Sequence, residues 1–373
     1  MRKYSLDKIP SPCYVLEIER FRSNLEILQK VEQESGAHIL CALKGFAFWK
    51  IFPMSREYVY GAAASSLFEA KLIAEEWGVK AHLCSPIYLE KDFDEIIDVS
   101  SHITFNSIAQ YEKFGGRAIK KCLSVGLRIN PEYSEIETEL YNPASVDSRL
   151  GIRGLRSLPK GVDGLHFHVL CENDSFTLER VLDRVEKNFG TLLHQIKWIN
   201  IGGGHHITKE GYDVNHLIDL IKTFSEKYEL QVILEPGEAF GWNSGFLLST
   251  VEDVVEGESI DTAILDVSFT AHMPDCLEMP YKPDVATLVS GNEIKEYRLG
   301  GLSCLAGDYV GDYKLPELNV GDKIIFEDMI HYTMVKTTMF NGVNLPAIGW
   351  VDRNGEFELL NSYGFNDYKC KLS

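Results

Sequence analysis

The chain has 373 residues, 45% hydrophobic and 25% charged, with 37 Lys and Arg against 55 Asp and Glu, a formal balance of -18. That length exceeds one small core and predicts about two domains. The acidic surface argues against nucleic acid and anionic membranes as partners and attracts cations, polycationic small molecules included. The eight cysteines are scattered without a CxxC pair and read as reduced thiols. The start, Met1–Asp7, runs into charges without an apolar signal core, and no window offers the roughly 18 apolar residues of a membrane span. A soluble, cytoplasmic protein is expected.

The first predicted element is a strand around Pro12–Leu16. Eight short apolar runs follow, each ending at or near a polar residue or glycine: His38–Lys44, Tyr58–Ala63, Lys80–Pro86, His102–Ser107, Ser124–Ile129, Gly164–Val169, Lys197–Gly203 and Gln231–Pro236. Largely apolar strands of this kind belong to parallel sheets buried on both faces. Helical spacing appears between them, as in Ser66–Trp77 (Phe68, Leu72, Ile73) closed by Gly78, and in Leu217–Phe224 (Leu217, Leu220, Ile221, Phe224). Strands alternating with helices predict an α/β fold, a (β/α)8 TIM-type barrel, with a doubly wound open sheet as the alternative. Beyond Glu238 short strand-like segments, Glu296–Leu299, Asp322–Glu327 and Glu356–Leu360, are separated by Gly, Asn and Asp, which predicts a C-terminal antiparallel β domain. The expected boundaries are 12–245 for the barrel and 246–373 for the β domain, with residues 1–20 as candidates to join its sheet.

In such a barrel, chemistry gathers at the carboxyl ends of the strands. The residues predicted there are Lys44, Arg128, His168, Gly202–Gly204 and Glu235. A lysine closing the apolar run Cys41-Ala42-Leu43 reads either as a snorkelling side chain or as a functional amine, and the company it keeps favours the amine. The three glycines, followed by a predicted helix, suit an anion cradle of backbone N–H groups, or else a plain tight turn. His166 and His168 share a face, which keeps a metal-dependent barrel hydrolase open; His205 and His206 would point opposite ways on a strand. Glu235 needs a cationic partner, either a Lys or Arg or a pyridinium nitrogen. Pyridoxal 5'-phosphate would use the whole set: a lysine for its Schiff base, donors for its phosphate, a ring on its face and an acid at its nitrogen. An acid there keeps the nitrogen protonated, which suits decarboxylation.

The order Lys44, Phe167-His168-Val169, Ile201–Gly204, Glu235-Pro236-Gly237, then a late cysteine and tyrosine, resembles the alanine-racemase-fold pyridoxal phosphate enzymes, and among them the ornithine and diaminopimelate decarboxylase group. Ala42-Leu43-Lys44 with Phe46, Tyr141-Asn142-Pro143 with Ser148–Gly151, Phe167–Glu172, Glu235–Ala239 and Ala271–Tyr281 resemble a narrower branch, the carboxynorspermidine/carboxyspermidine decarboxylases. The resemblance implies Lys44, His168 and Cys304 as catalytic residues, with Lys44 as the Schiff-base lysine and Cys304 in proton return. It puts His168 on the cofactor ring, Gly202, Gly203, Gly204 and Tyr332 at the phosphate, Glu235 at the ring nitrogen and Arg128 near the cofactor.

Phe46 stands where the amino-acid decarboxylases usually have Asn, Glu238 where an arginine often follows the EPG triplet, and Leu305 where an acid usually follows the cysteine, the acid coming later as Asp308. Glu238, Asp275, Glu278 and Asp308 are therefore the expected substrate contacts, suited by charge-assisted hydrogen bonds to protonated amines. The branch implies decarboxylation of a cationic, polyamine-like substrate to norspermidine or spermidine, a homodimer with shared active sites, and no metal. A diaminopimelate-type decarboxylase, the alternative, would want an arginine where Glu238 and Asp275 stand.

Overall fold

The computed structural model describes residues 4–289 and 293–373, which form two compact units, one of residues 24–240 and one joining residues up to 23 with 241–373. Strand β1 is Cys13–Glu17. The 24–240 unit carries β2 (His38–Ala42), β3 (Gly61–Ala64), β4 (Ala81–Ser85), β5 (Ser100–Phe105), β6 (Ser124–Arg128), β7 (Gly164–His166), β8 (Trp198–Asn200) and β9 (Gln231–Leu234). All neighbours pair in parallel, and β9 returns to β2 through His38↔Ile233 and Ile39↔Leu234, so the sheet closes into an eight-stranded barrel rather than staying open. Each predicted run overlaps one of these strands. The runs outlast several of them: Lys44, His168, Gly202–Gly204 and Glu235 lie in turns just past the strand ends, on the rim.

Side-chain size shapes the barrel interior. Leu40, Ala63, Trp198 and Ile233 form a buried cluster within it. Trp198 of β8 lies across β6 and β7 at Gly126 and Gly164, where an added Cβ would stand 2.4 and 2.1 Å from the indole. The indole Nε1–H donates to Ser124 Oγ at 2.8 Å. Gly164→Ala is therefore expected to destabilise the protein by about 1–3 kcal/mol through overpacking, read as a lower denaturant midpoint. An unchanged midpoint would show that the indole can retreat.

Ser66 caps the helix Leu67–Leu72, accepting from Glu69 N–H at 3.3 Å, and the chain continues in a wider π turn, Ile73–Trp77, ended by Gly78 at φ +77. The buried stripe is Ala70, Ile73 and Trp77, and Phe68, expected on it, is 80% exposed. These buried positions recur at ordinary helical spacing, three and four residues apart, so the inward stripe runs through Ala70 and leaves Phe68 on the outer side. In the helix Val214–Tyr228, Leu217, Ile221 and Phe224 are buried as expected, with Ile218 in place of Leu220.

The second unit is built from β1, β10 (Gly245–Val255), β11 (Asp261–Leu265), β12 (Val285–Thr287), β13 (Ile294–Gly300), β14 (Asp312–Pro316), β15 (Lys323–Glu327), β16 (Ala347–Val351) and β17 (Phe357–Asn361). Among the described residues they make a nine-stranded sheet with the path β14-β13-β11-β10-β1-β16-β17, from which β15 pairs with β10 and β12. The sheet is mostly antiparallel, but β1–β16 and β11–β13 pair in parallel. Strand β1 lies between β10 and β16, so the chain's first strand is part of this sheet and the barrel unit starts at residue 24, not at 12. The junction on the far side falls at 240/241 rather than 245/246. The core holds Tyr14, Leu247, Leu265, Phe269, Tyr297 and Phe326, and Tyr14 Oη donates to the His272 carbonyl. No helix among the described residues is long and apolar enough to cross a membrane.

Candidate active site

Strand β2 ends at Ala42, whose N–H donates to Pro236 O at 3.1 Å, while Leu43 N–H donates to Ala63 O at 3.1 Å. A Cβ on Gly45 would stand 3.1 Å from Gly237 Cα, and one on Gly237 would stand 2.9 Å from Ala42 O. Bare backbone at both positions lets the lysine turn abut the Glu235-Pro236-Gly237 turn. Lys44 and Glu235 thereby line one cavity of roughly 220 Å³ together with Cys84, Arg128, His166 and His168. Lys44 is not a snorkelling surface residue: its open surface faces this cavity. Burial lowers its pKa, with Glu235 opposing and Arg128 assisting, and an amine so placed gives up its proton more readily than a surface lysine.

Glu235 is held from two sides. Asn200 Nδ2 donates to its Oε1 at 2.6 Å, and His166 Nε2 lies 3.4 Å from its Oε2. Burial alone would favour the protonated acid, but His166, Lys44 and Asn200 outweigh it and hold the carboxyl at about 2. Asn200 also accepts Gly202 N–H at 2.9 Å through Oδ1, tying the acid to the glycine turn.

That turn departs from the plain anion cradle. Gly202 and Gly204 have φ of +72 and +85, and added Cβ atoms on Gly202, Gly203 and Gly204 would meet carbonyl oxygens at 2.5, 2.3 and 2.0 Å. Glycine is required at each place by backbone packing. Gly202 N–H is committed to Asn200, and Gly203 N–H donates to His168 Nδ1 at 3.0 Å. No helix follows directly, since the next begins at Val214, capped by Asp213. His168 is neutral: burial, Lys44 and Arg128 all push its pKa well below the usual value. Arg128, 8% exposed, reaches the His168 carbonyl at 3.4 Å.

His166 and His168 do not act as a pair, because the first faces Glu235 and Cys84 and the second faces Gly203. Among the described residues no group of three or more His, Cys, Asp or Glu side chains could hold a metal ion. His206 lies buried with Nε2 3.1 Å from Glu238 Oε2, so Glu238 already has an internal partner.

The remaining sequence-predicted residues belong to the sheet unit. Cys304 is exposed, its N–H donating to Asn341 Oδ1 at 2.8 Å. Asp308, expected at the substrate, is buried and organises the loop that carries Cys304: it accepts from Ser268 Oγ (3.1 Å), Thr270 N–H (2.9 Å) and Ser303 N–H (3.1 Å). Asp275 and Glu278 each lie 2.5 Å from Lys336 Nζ. Tyr332 begins a short helix beside His331, whose Nε2 is 3.2 Å from Asp328 Oδ2. Sequence reasoning missed Asn200, Cys84 and Lys336. The only sequence signal for the first two was that each is a polar or thiol side chain inside a predicted apolar strand.

A deprotonatable amine, a fully ionised acid, a neutral ring and a buried guanidinium around one cavity form a set that fits pyridoxal phosphate. The fold and these residues define a cofactor-dependent decarboxylase of the barrel-plus-sheet type. Residues 13–330 match the family model described as "Pyridoxal-dependent decarboxylase, C-terminal sheet domain", and the chain belongs to that family. A carboxyaminopropylagmatine decarboxylase of Synechocystis sp. is 50% identical over 98% of this chain and 96% of its own length. The carboxynorspermidine/carboxyspermidine decarboxylase of Campylobacter jejuni is 45% identical over 98% of this chain and 99% of its own. A crystal structure of carboxynorspermidine decarboxylase complexed with norspermidine, from Campylobacter jejuni, superposes with a TM-score of 0.90 at 43% identity, covering 97% of this chain and 100% of that one. Diaminopimelate decarboxylase from Helicobacter pylori shares the fold, with a TM-score of 0.86 at 16% identity.

Proposed function

We propose that the enzyme removes the α-carboxylate of a carboxylated triamine, carboxynorspermidine or carboxyspermidine, yielding norspermidine or spermidine. The observation that carries this reading is the convergence of Lys44, His168 and ionised Glu235 on one cavity, joined with the 45% identical relative named as a carboxynorspermidine/carboxyspermidine decarboxylase. Pyridoxal phosphate, when bound, supplies a conjugated ring with a protonated nitrogen that accepts the electron pair left as carbon dioxide departs. Glu235, kept anionic by His166 and Asn200, would hold the proton on that nitrogen. His168, neutral and braced by Gly203, offers an uncharged face. Lys44 Nζ would hold the cofactor, and its lowered pKa would let it exchange protons with the substrate amine. A phosphate at the glycine turn would be held by Gly204 and residues beyond it, with Tyr332. Cys304 returns a proton to the α carbon, in a homodimer whose copies share active sites.

Asp275 and Glu278 would bind the substrate's distal ammonium groups, with Glu238 as a further acid; Lys336 marks the first two as a place already suited to an ammonium. Asp308 is assigned instead to the loop that carries Cys304, since it accepts two backbone N–H groups and a hydroxyl there and faces no cation among the described residues. Asp275→Ala is expected to raise KM about 10–100-fold with the cofactor absorbance unchanged, the loss of one charge-assisted hydrogen bond of about 1.5–3 kcal/mol. An unchanged KM would remove Asp275 from the site.

The 50% identical relative favours a second substrate, carboxyaminopropylagmatine, whose agmatine end carries a guanidinium in place of an ammonium. Purified enzyme incubated with carboxyspermidine, carboxynorspermidine, carboxyaminopropylagmatine and diaminopimelate, with carbon dioxide release measured, tests the assignment. Release from diaminopimelate alone would overturn it.

A further inference from the structure

Cys84 is the penultimate residue of β4 and lines the same cavity, and nothing in the cofactor or substrate set uses it. Its Sγ lies 3.8 Å from His166 Nδ1, and the opposite edge of that ring lies 3.4 Å from Glu235 Oε2. One imidazole therefore has an acidic group at each nitrogen. A neutral ring has a single N–H and can donate to only one of them, whereas an imidazolium donates to both. The proton needed for the second donor is available from the thiol.

The other charges around the pair agree. Arg128 favours a thiolate at Cys84, while Glu235 opposes one. Lys44 faces both Cys84 and Glu235, and His168, neutral, adds no charge. Tyr88, the remaining ionisable group against Cys84, keeps its proton and donates it to Thr104 O at 2.8 Å. Burial raises the thiol's pKa, but His166 and then Arg128 outweigh it, so the thiol ionises below its usual range. Burial likewise opposes charge on His166, and Cys84 and Glu235 overcome it, pushing the ring up to about 9.

We propose that Cys84, His166 and Glu235 form one proton-sharing chain in the barrel wall, in which Cys84 presents a thiolate to the cavity as a modification site for small neutral electrophiles and charged His166 is the positioning residue for the Glu235 carboxylate. On alkylation by iodoacetamide the Cys84 sulfur bonds to the reagent's methylene carbon and iodide leaves, the thiol proton already residing on His166. The chain rests on the cavity and not on the identity of the substrate. A thiol rate is read without turnover, so its failure and that of the substrate assay are separate results.

The test uses the full-length enzyme freed of cofactor, treated with iodoacetamide across a pH series, with the Cys84 peptide quantified by mass spectrometry. An ordinary thiol, of pKa about 8.5, keeps about one hundredth of its plateau rate at about pH 6.5. Cys84 is expected to keep at least ten-fold more than that reference, and His166→Gln should erase the excess. A wild-type profile matching a free cysteine peptide, or no reaction at any pH, overturns the proposal. So does an unchanged profile in His166→Gln. The wild-type profile needs no variant, so a poorly folded substitution leaves the test intact.

Discussion

Lys44→Ala is expected to abolish both turnover and the visible absorbance of bound cofactor. The loss should reach at least about 10⁴-fold, or about 5.5 kcal/mol of transition-state stabilisation. Lys44 is the only amine among the residues lining the cavity, and Arg128 cannot replace it, since it offers a delocalised guanidinium rather than an amine. The fold itself should survive. Lys44 sits in a turn past β2, its side chain faces the cavity, and burial works against its charge, so removing the amine costs little stability. Carbon dioxide release, the absorbance spectrum and a denaturant midpoint together check the expectation. Retained turnover with an intact visible band would end the assignment of Lys44.

Glu235→Gln is expected to reduce kcat about 10³-fold, or about 4 kcal/mol, with a smaller change in KM. Glutamine has nearly the same shape and its Oε1 can still accept from Asn200, but a neutral amide cannot hold a proton on an opposing ring nitrogen. A second readout follows from His166. Its folded pKa of about 9 lies above the ordinary histidine value of 6.5, so its charge contributes stability that is complete below about pH 6.5 and is lost as pH rises through 9. Without the Glu235 charge, the ring keeps Cys84 alone as its acidic partner and its pKa falls. The alkaline loss of stability, measured as denaturant midpoints at neutral pH and above about pH 9, should therefore be smaller in Glu235→Gln than in wild type. An equal loss in both would show that His166 is not charged against Glu235.

The barrel was legible because its strands are buried on both faces and so read as continuous apolar runs, and the sheet domain because its strands are short and punctuated by Gly, Asn and Asp. The residues that end those runs, Lys44, His168 and Glu235, could be named from order alone, since strand ends converge on one rim. Phe68 could not be placed, because an apolar residue on the outer side of a helix looks the same in the sequence as one on the inner side, and here the buried stripe runs through Ala70, Ile73 and Trp77. Nor could the sheet's parallel pairs be read, since β1 and β16 lie more than three hundred residues apart in the chain and local spacing carries no trace of such a partner.

The chemistry's protonation states belong to tertiary structure. Sequence by itself determined which groups this enzyme possesses, an amine, an acid, a ring and a run of glycines, and the order in which a closed barrel would bring them to its rim. Folding decided their charges and duties. It set His166 between Cys84 and Glu235, made His168 a neutral acceptor for Gly203, engaged two of the three glycine amides internally, and bound Asp308 into its own loop. Charge in a protein interior is governed by distances of a few ångströms and by the exclusion of water, and both arise only when segments remote in the chain are packed together.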